Sequence, residues 1–157
     1  MVGLPPWAIL IGLCIAFLAL AQAPAVAQEC GQNHPVPQIA SVYVDNEGRL
    51  QAISQTVWVS GSSIFYICSV DNAGRRLIAR NGPYNVSDPN KYSRFEWIIF
   101  NRQIWFCQQV QNAGSIPMAE AASAADPRDP RLQGCGRTSK APGGLPWSQL
   151  IRILVAQ

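Results

Sequence analysis

Thr56-Val57-Trp58-Val59-Ser60, Gly61-Ser62-Ser63, Ile64-Phe65-Tyr66-Ile67-Cys68-Ser69-Val70, Asp71-Asn72-Ala73-Gly74 reads strand, turn, strand, turn. β-branched and aromatic residues fill the runs, and Gly, Ser, Asn and Asp fill the gaps. The same grammar returns downstream as Phe95-Glu96-Trp97-Ile98-Ile99-Phe100, Asn101-Arg102, Gln103 to Val110, and Gln111-Asn112-Ala113-Gly114. Trp58 and Cys68 are spaced as Trp97 and Cys107 are, and Tyr66 and Trp105 fall at the same place before the cysteine. The spacing predicts a duplicated hairpin and an all-β fold. Its expected form is a small antiparallel barrel or sandwich of about six to eight short strands, stabilised by disulfides, with irregular N- and C-terminal arms.

Upstream, Ile39 to Val44, Asp45-Asn46-Glu47-Gly48 and Arg49 to Ile53 form a further hairpin. Its four-residue turn suits a type I turn closed by a left-handed glycine, and Asp71 to Gly74 reuses that chemistry. An approximate third copy sits at Val110 to Gly114. Ile64, Tyr66, Cys68 and Val70 share one strand face, and Phe65, Ile67 and Ser69 share the other. Both faces are apolar, and Gln103 to Val110 shows the same. A sheet with one wet face would alternate. These two strands are therefore covered on both sides, or one side binds something. Leu50 to Thr56 and Arg75 to Arg80 are half polar and read as outer strands, and Asn81 to Ser93 as a long polar loop.

Residues 1–27 read as a secretory signal: an apolar run from Trp7 to Ala21, then Ala25-Val26-Ala27 as a small-x-small cleavage site. Residues 28–38 are an extended arm broken by Pro35 and Pro37, 39–114 are the antiparallel β core, and 115–157 are a C-terminal arm. Within that arm, Met118 to Ala125 suits a short helix. At 146–156 Pro146 could open a helix, but the alternation of Ile151, Ile153 and Val155 favours a closing strand.

The leader removes Cys14 and leaves Cys30, Cys68, Cys107 and Cys135. An even number in an exported chain without any Cys-x-x-Cys implies two disulfides rather than a metal site. The equivalent places of Cys68 and Cys107 in the two hairpins predict Cys68–Cys107, which leaves Cys30–Cys135 to tie the arms. Two disulfides place the protein in a secreted or periplasmic setting. The net charge of +3 is too small to argue for nucleic acid. Membrane contact is expected only through an uncleaved leader.

Chemistry-bearing motifs are absent from the sequence. The one histidine, His34, sits beside Pro35 and reads as a loop residue. Asp45, Glu47 and Asp71 read as turn formers, and Arg94–Glu96 as an exposed pair. No cofactor or metal is expected. Asn85-Val86-Ser87 is a glycosylation sequon. The aromatics of the duplicated hairpins, Trp58, Tyr66, Trp97 and Trp105, either fill a small core or form a ligand patch edged by Arg76, Arg80 and Arg94. Arg76, Arg80, Lys91 and Arg94 also suit an anionic ligand such as an acidic glycan. The expected function is a non-enzymatic exported binding or inhibitor-like domain with a protein or glycan ligand. A structural envelope protein and a small hydrolase with an unrecognised site are the alternatives. Exposure of the tryptophans decides between patch and core.

Overall fold

Eight antiparallel strands follow one another in chain order around a closed barrel. They are β1 (Ser41–Asp45), β2 (Leu50–Ile53), β3 (Val57–Ser60), β4 (Ser63–Asp71), β5 (Arg76–Asn81), β6 (Tyr92–Phe100), β7 (Gln103–Ala113) and β8 (Ser148–Arg152). One helix, α1 (Ile116–Ala121), follows β7. The computed structural model describes residues 30–31, 33–136 and 143–153; the expected leader, 1–27, lies outside them. The closing strand is real, since β8 pairs with β7 on one side and with β1 on the other. Closure leaves no outer strands among the described residues. The expectation that Leu50 to Thr56 and Arg75 to Arg80 lie at edges is therefore corrected. Each is flanked on both sides, and Leu77, Ile78, Ala79 and Asn81 are buried.

Period-two alternation sends one side of every strand inward. Tyr43, Ile53, Trp58, Phe65, Ile67, Leu77, Ala79, Phe95, Trp97, Phe106 and Leu150 form a single cluster. The two hairpins share the inward tryptophan but not the register: Trp58 faces Phe65 across β3–β4, whereas Trp97 faces Phe106 across β6–β7 rather than Ile104, which holds the place of Phe65 in the repeat. Trp58 also stacks on Phe95 at 4.4 Å between ring centroids. The β6–β7 turn places both Asn101 and Arg102 in the left-handed region, which matches the twist of a two-residue hairpin. Gly48 closes the β1–β2 turn at φ +80, as expected. At β4–β5 the left-handed residue is Arg75, not Gly74. A Cβ on Gly74 would press on the Asp71 carboxylate that accepts its N–H, so that side chain would have to shift. The third copy expected at Val110 to Gly114 is no turn; β7 runs straight through to Ala113.

The disulfides are Cys30–Cys68 and Cys107–Cys135, which overturns the expected Cys68–Cys107 and Cys30–Cys135 pairs. Cys68 lies on β4 and Cys107 on β7, with β5 and β6 between them. Three strand spacings are about 14 Å, beyond disulfide reach. Repeat symmetry itself keeps the equivalent cysteines apart, so each half-barrel instead staples its own arm. Cys30–Cys68 holds residues 30–39 against the end of the barrel that carries the β2–β3, β4–β5 and β6–β7 turns. There Pro37 and Ile39 are buried, and Asn72 fastens the arm through Gln38 N–H and Val36 O. Cys107–Cys135 holds the C-terminal arm on the outside of β7. Each bridge contributes about 2–4 kcal/mol.

A polar relay finishes the core. The indole N–H of the fully buried Trp58 donates to Gln51 Oε1 at 2.8 Å, and Gln51 Nε2 donates to Asp45 Oδ2 at 2.9 Å. Asp45 also accepts from the Arg49 guanidinium and from the backbone N–H groups of Glu47 and Arg49. Burial alone would raise the Asp45 carboxyl, but the donors of Arg49, Gln51 and Glu47 outweigh it and hold the group below the usual carboxylate range. A lowered folded pKa stabilises the fold above the unfolded value and loses that contribution as pH falls through the folded one. Asp45→Asn should cost about 1–3 kcal/mol at neutral pH. It should also flatten the loss of stability below about pH 4. Urea melts of both proteins across that range check this; parallel acid limbs would contradict it.

Candidate functional site

The barrel places the candidate patch residues in four different environments. Trp58 (0 % exposed) and Trp97 (2 %) are inside the barrel, and Trp105 (7 %) is outside it but covered. Trp105 packs with Cys107, Ala125 and Trp147 beneath the C-terminal arm. Tyr66 is half-buried on the outside of β4, opposite Arg80. For the tryptophans the aromatic ligand patch is therefore corrected to packing: Trp58 and Trp97 fill the closed barrel and Trp105 lies under the arm, while Tyr66 stays half-buried on the outside. Arg76, Arg80 and Arg94 do share the exterior of β5 and β6, but α1 lies over that face and covers Ile78 and Tyr92.

Arg94 is neither exposed nor a ligand edge. It is 1 % exposed, and its guanidinium donates to the carbonyls of Ala119, Glu120, Ala122 and Ser123 at 2.6–3.0 Å. Glu96 pairs with it at 2.8 Å and accepts the Ala125 N–H. The pair expected to be a surface ion pair thus clamps the end of α1 to the barrel. Arg76 pairs with Asp71. His34, half-buried in the N-terminal arm, places a ring nitrogen 3.2 Å from Ile67 O.

Among the described residues, three open surfaces bear on the candidate site. The first is the barrel end carrying the β1–β2 turn, the β3–β4 turn and the β5–β6 loop. Two adjoining hollows of about 300 and 490 Å³ lie there and share Arg49, Ser60, Gln108 and Gln111. The smaller is lined mostly by amide and hydroxyl groups, whereas Phe95, Phe106, Leu145, Pro146 and Trp147 make the larger one half apolar. Much of the polar lining is already used: Ser93 donates to Asn81, Gln108 donates to Ser93, and Arg49 is held by Asp45 and Glu47.

The second is the β5–β6 loop, residues 82–91, on the rim of those hollows. Tyr84 is 96 % exposed and Val86 is 93 % exposed. Between them Asn85 is buried, and its side chain accepts from Ile64 N and donates to Ile64 O, as a neighbouring strand would. Gly82 N–H donates to the same carbonyl, and a Cβ on Gly82 would stand 3.0 Å from it. At the base, buried Asn81 donates to Asp88 O and Gln111 O. The loop is thus fixed while its two apolar side chains stand in solvent. Asn85 is a structural residue: a glycan on Nδ2 would need the loop to open.

The third is the outside of β8, β1, β2, β3 and β4. Register makes its outward positions neighbours: Val44 faces both Ile151 and Leu50, Ala52 faces both Val42 and Val59, and Val59 faces Ile64. Val42, Leu50, Ile64 and Ile151 are each 40–50 % exposed. Sequence reading missed this face because it looked for two-sided apolarity only in β4 and β7. The signal was present in Val42 and Val44, which alternate with the inward Tyr43 and Asp45.

No protein-family model matches the chain, and no curated protein or solved structure is significantly similar to it.

Asn85→Ala should cost about 1–3 kcal/mol, since two bonds to Ile64 are lost. It should also open the loop to chymotrypsin at Tyr84. Tyr84→Ala should stay within about 0.5 kcal/mol of the parent. Thermal melts and timed digests read both; a neutral Asn85→Ala would contradict the account of the loop.

Proposed function

We propose that this chain is a non-catalytic, exported binding domain, inhibitor-like in design, that presents residues 82–88 to a protein partner. The observation that carries this reading is the pairing of opposites in one short loop: Tyr84 and Val86 almost wholly exposed, Asn81 and Asn85 buried and bonded beneath them. A free loop would lose conformational entropy on docking, whereas a loop already fixed keeps that free energy for affinity. Tyrosine is a common anchor in recognition surfaces because it buries much area with few rotors. The plugging of the opposite barrel end by Pro37 and Ile39 leaves this end as the accessible one. The two disulfides suit an oxidising compartment, and with the apolar leader they support secretion or a periplasmic location. A glycan in the smaller hollow beside the loop is the second reading, favoured by its amide and hydroxyl lining.

The test is affinity capture from the exported fraction of the source organism. The parent protein, a Tyr84→Ala/Val86→Ala variant and an Ile99→Ala surface control serve as baits. The reading expects a protein retained by the parent and the control but weakened by about 2 kcal/mol or more in the loop variant, as at a hot spot. Failure to find any species that separates parent from loop variant would overturn it.

A further inference from the structure

The two hollows at the open mouth of the barrel are joined by a third. It measures about 440 Å³ and lies between β7 and Ala122, Ser123 and Gly136. Gln108 and Gln111 of β7 line all three, so the hollows meet there. Asp88 borders the first and the third. The mouth of a β-barrel is a common place for a small-molecule site, and each hollow is of the size that holds one.

The lining narrows the ligand. Arg49 is the one cation among the lining residues, and Asp45 and Glu47 hold it, so a phosphate or carboxylate finds no free positive charge. A peptide strand would need an open sheet edge, and closure leaves none among the described residues. A lipid chain would strip water from amides and hydroxyls without replacing their bonds. The capacity left over is neutral. Among the described residues, the side chains of Ser60, Ser63 and Gln111 bond to nothing, and Gln108 uses only its amide N–H.

Asp88 adds one fixed charged acceptor. Asn81 Nδ2 and the Lys91 N–H donate to its carbonyl, and its backbone is held in the left-handed region at φ +50. Its carboxylate has no partner among the described residues. An ionised carboxylate accepts only, and has room for two hydroxyl donors at once.

We propose that this mouth binds a neutral oligosaccharide, with successive sugar rings in adjoining hollows. The proposal rests on the glycan reading and extends it from one hollow to three. A sugar ring is apolar on its C–H faces and carries donors and acceptors around its edge. The faces suit Phe95, Phe106 and Trp147 in the larger hollow. The edges suit Ser60, Ser63 and Gln111. Asp88 accepts from neighbouring hydroxyls, and a bond to an ionised acceptor is about twice as strong as a neutral one. Gln108 and Gln111 stand at the junction, where one ring is linked to the next.

Titration of the mature, disulfide-bonded protein, followed by nitrogen-15 NMR, tests this. The probes are mono-, di- and tetrasaccharides of glucose, mannose and N-acetylglucosamine. At least one tetrasaccharide should bind saturably, about tenfold or more tighter than its monosaccharide, since each added ring brings further hydrogen bonds. Its shifts should reach Asn112 and Ser123 in one hollow and Leu145 and Trp147 in another. Asp88→Asn keeps the shape, and asparagine tolerates the left-handed backbone. It should weaken binding about tenfold or more. Gln111→Ala should weaken it as well, and Ile99→Ala, toward the opposite end of β6, should not. The amide spectra of the free variants establish that each keeps its fold. A monosaccharide bound as tightly as the tetrasaccharide, with shifts confined to Ser62, Ser63 and Asn85, would overturn the extended site while leaving a glycan in the smaller hollow. Binding of none of these sugars would overturn both. Tighter binding of an oligogalacturonate would overturn the neutral assignment. None of these outcomes depends on Tyr84 or Val86, so the capture test of the loop stands apart.

Discussion

The indole N–H of Trp58 has to find an acceptor at the centre of a barrel that holds no water-facing side. Gln51 supplies it from the neighbouring strand, and its own amide is satisfied by Asp45, which is in turn held by Arg49. This relay runs from the driest point of the molecule to the open rim. Losing one member leaves the next buried and unpaired, at a cost that exceeds the modest net value of the bond itself. The relay also assigns the two ends of the barrel. Around Trp58 the filling is Phe65, Phe95 and Phe106; beyond it, toward the β1–β2 turn and the β5–β6 loop, the inward residues turn to Asp45, Gln51, Asn81 and Ser93. The apolar end is sealed by Pro37 and Ile39 of the N-terminal arm, which leaves the polar end as the open one.

Outside, the constraint is cover. Cys107–Cys135 and the Arg94–Glu96 clamp hold α1 and the arm against β5 to β7. Arg94 carries four carbonyl bonds and one carboxylate in a dry place, where a charge is tolerated only when it is so surrounded. The clamp docks the end of a short helix that has little intrinsic stability of its own. Among the described residues, the other half of the exterior has no such device. The chain thus combines a core filled by Trp58, Trp97, Phe65, Phe95 and Phe106, one dressed flank, one flank with exposed aliphatic side chains, and a fixed loop with two exposed side chains, Tyr84 and Val86.

Much of this was legible in the residues. Turn chemistry at Asp45 to Gly48 and at Asn101-Arg102 marked two hairpins, and the Trp58/Trp97 repeat marked the β architecture. Ile151 and Ile153 marked the closing strand, although those two isoleucines face outward and Leu150 faces the core. The disulfide pairing was misread because equivalence in sequence was taken for adjacency in space. The hairpins β3–β4 and β6–β7 have β5 between them, and the cysteines sit on their second strands, so β5 and β6 both separate the equivalent sites. Arg94 and Glu96 looked like an exposed pair because their burial depends on α1, which is far along the chain. The loop at Tyr84 and Val86 gave no periodic signal. Its order comes from the contact of Asn85 with Ile64, 21 positions away.

The central claim is that Trp58, Trp97, Trp105 and Trp147 are structural residues, held away from solvent. Quenching of tryptophan fluorescence by iodide, in the mature protein, tests it directly. Trp58, Trp97, Trp105 and Trp147 are all buried. The expected spectrum is blue-shifted and almost indifferent to iodide until the fold is melted. Emission from the native protein that iodide quenches readily would place an indole in solvent and contradict the account.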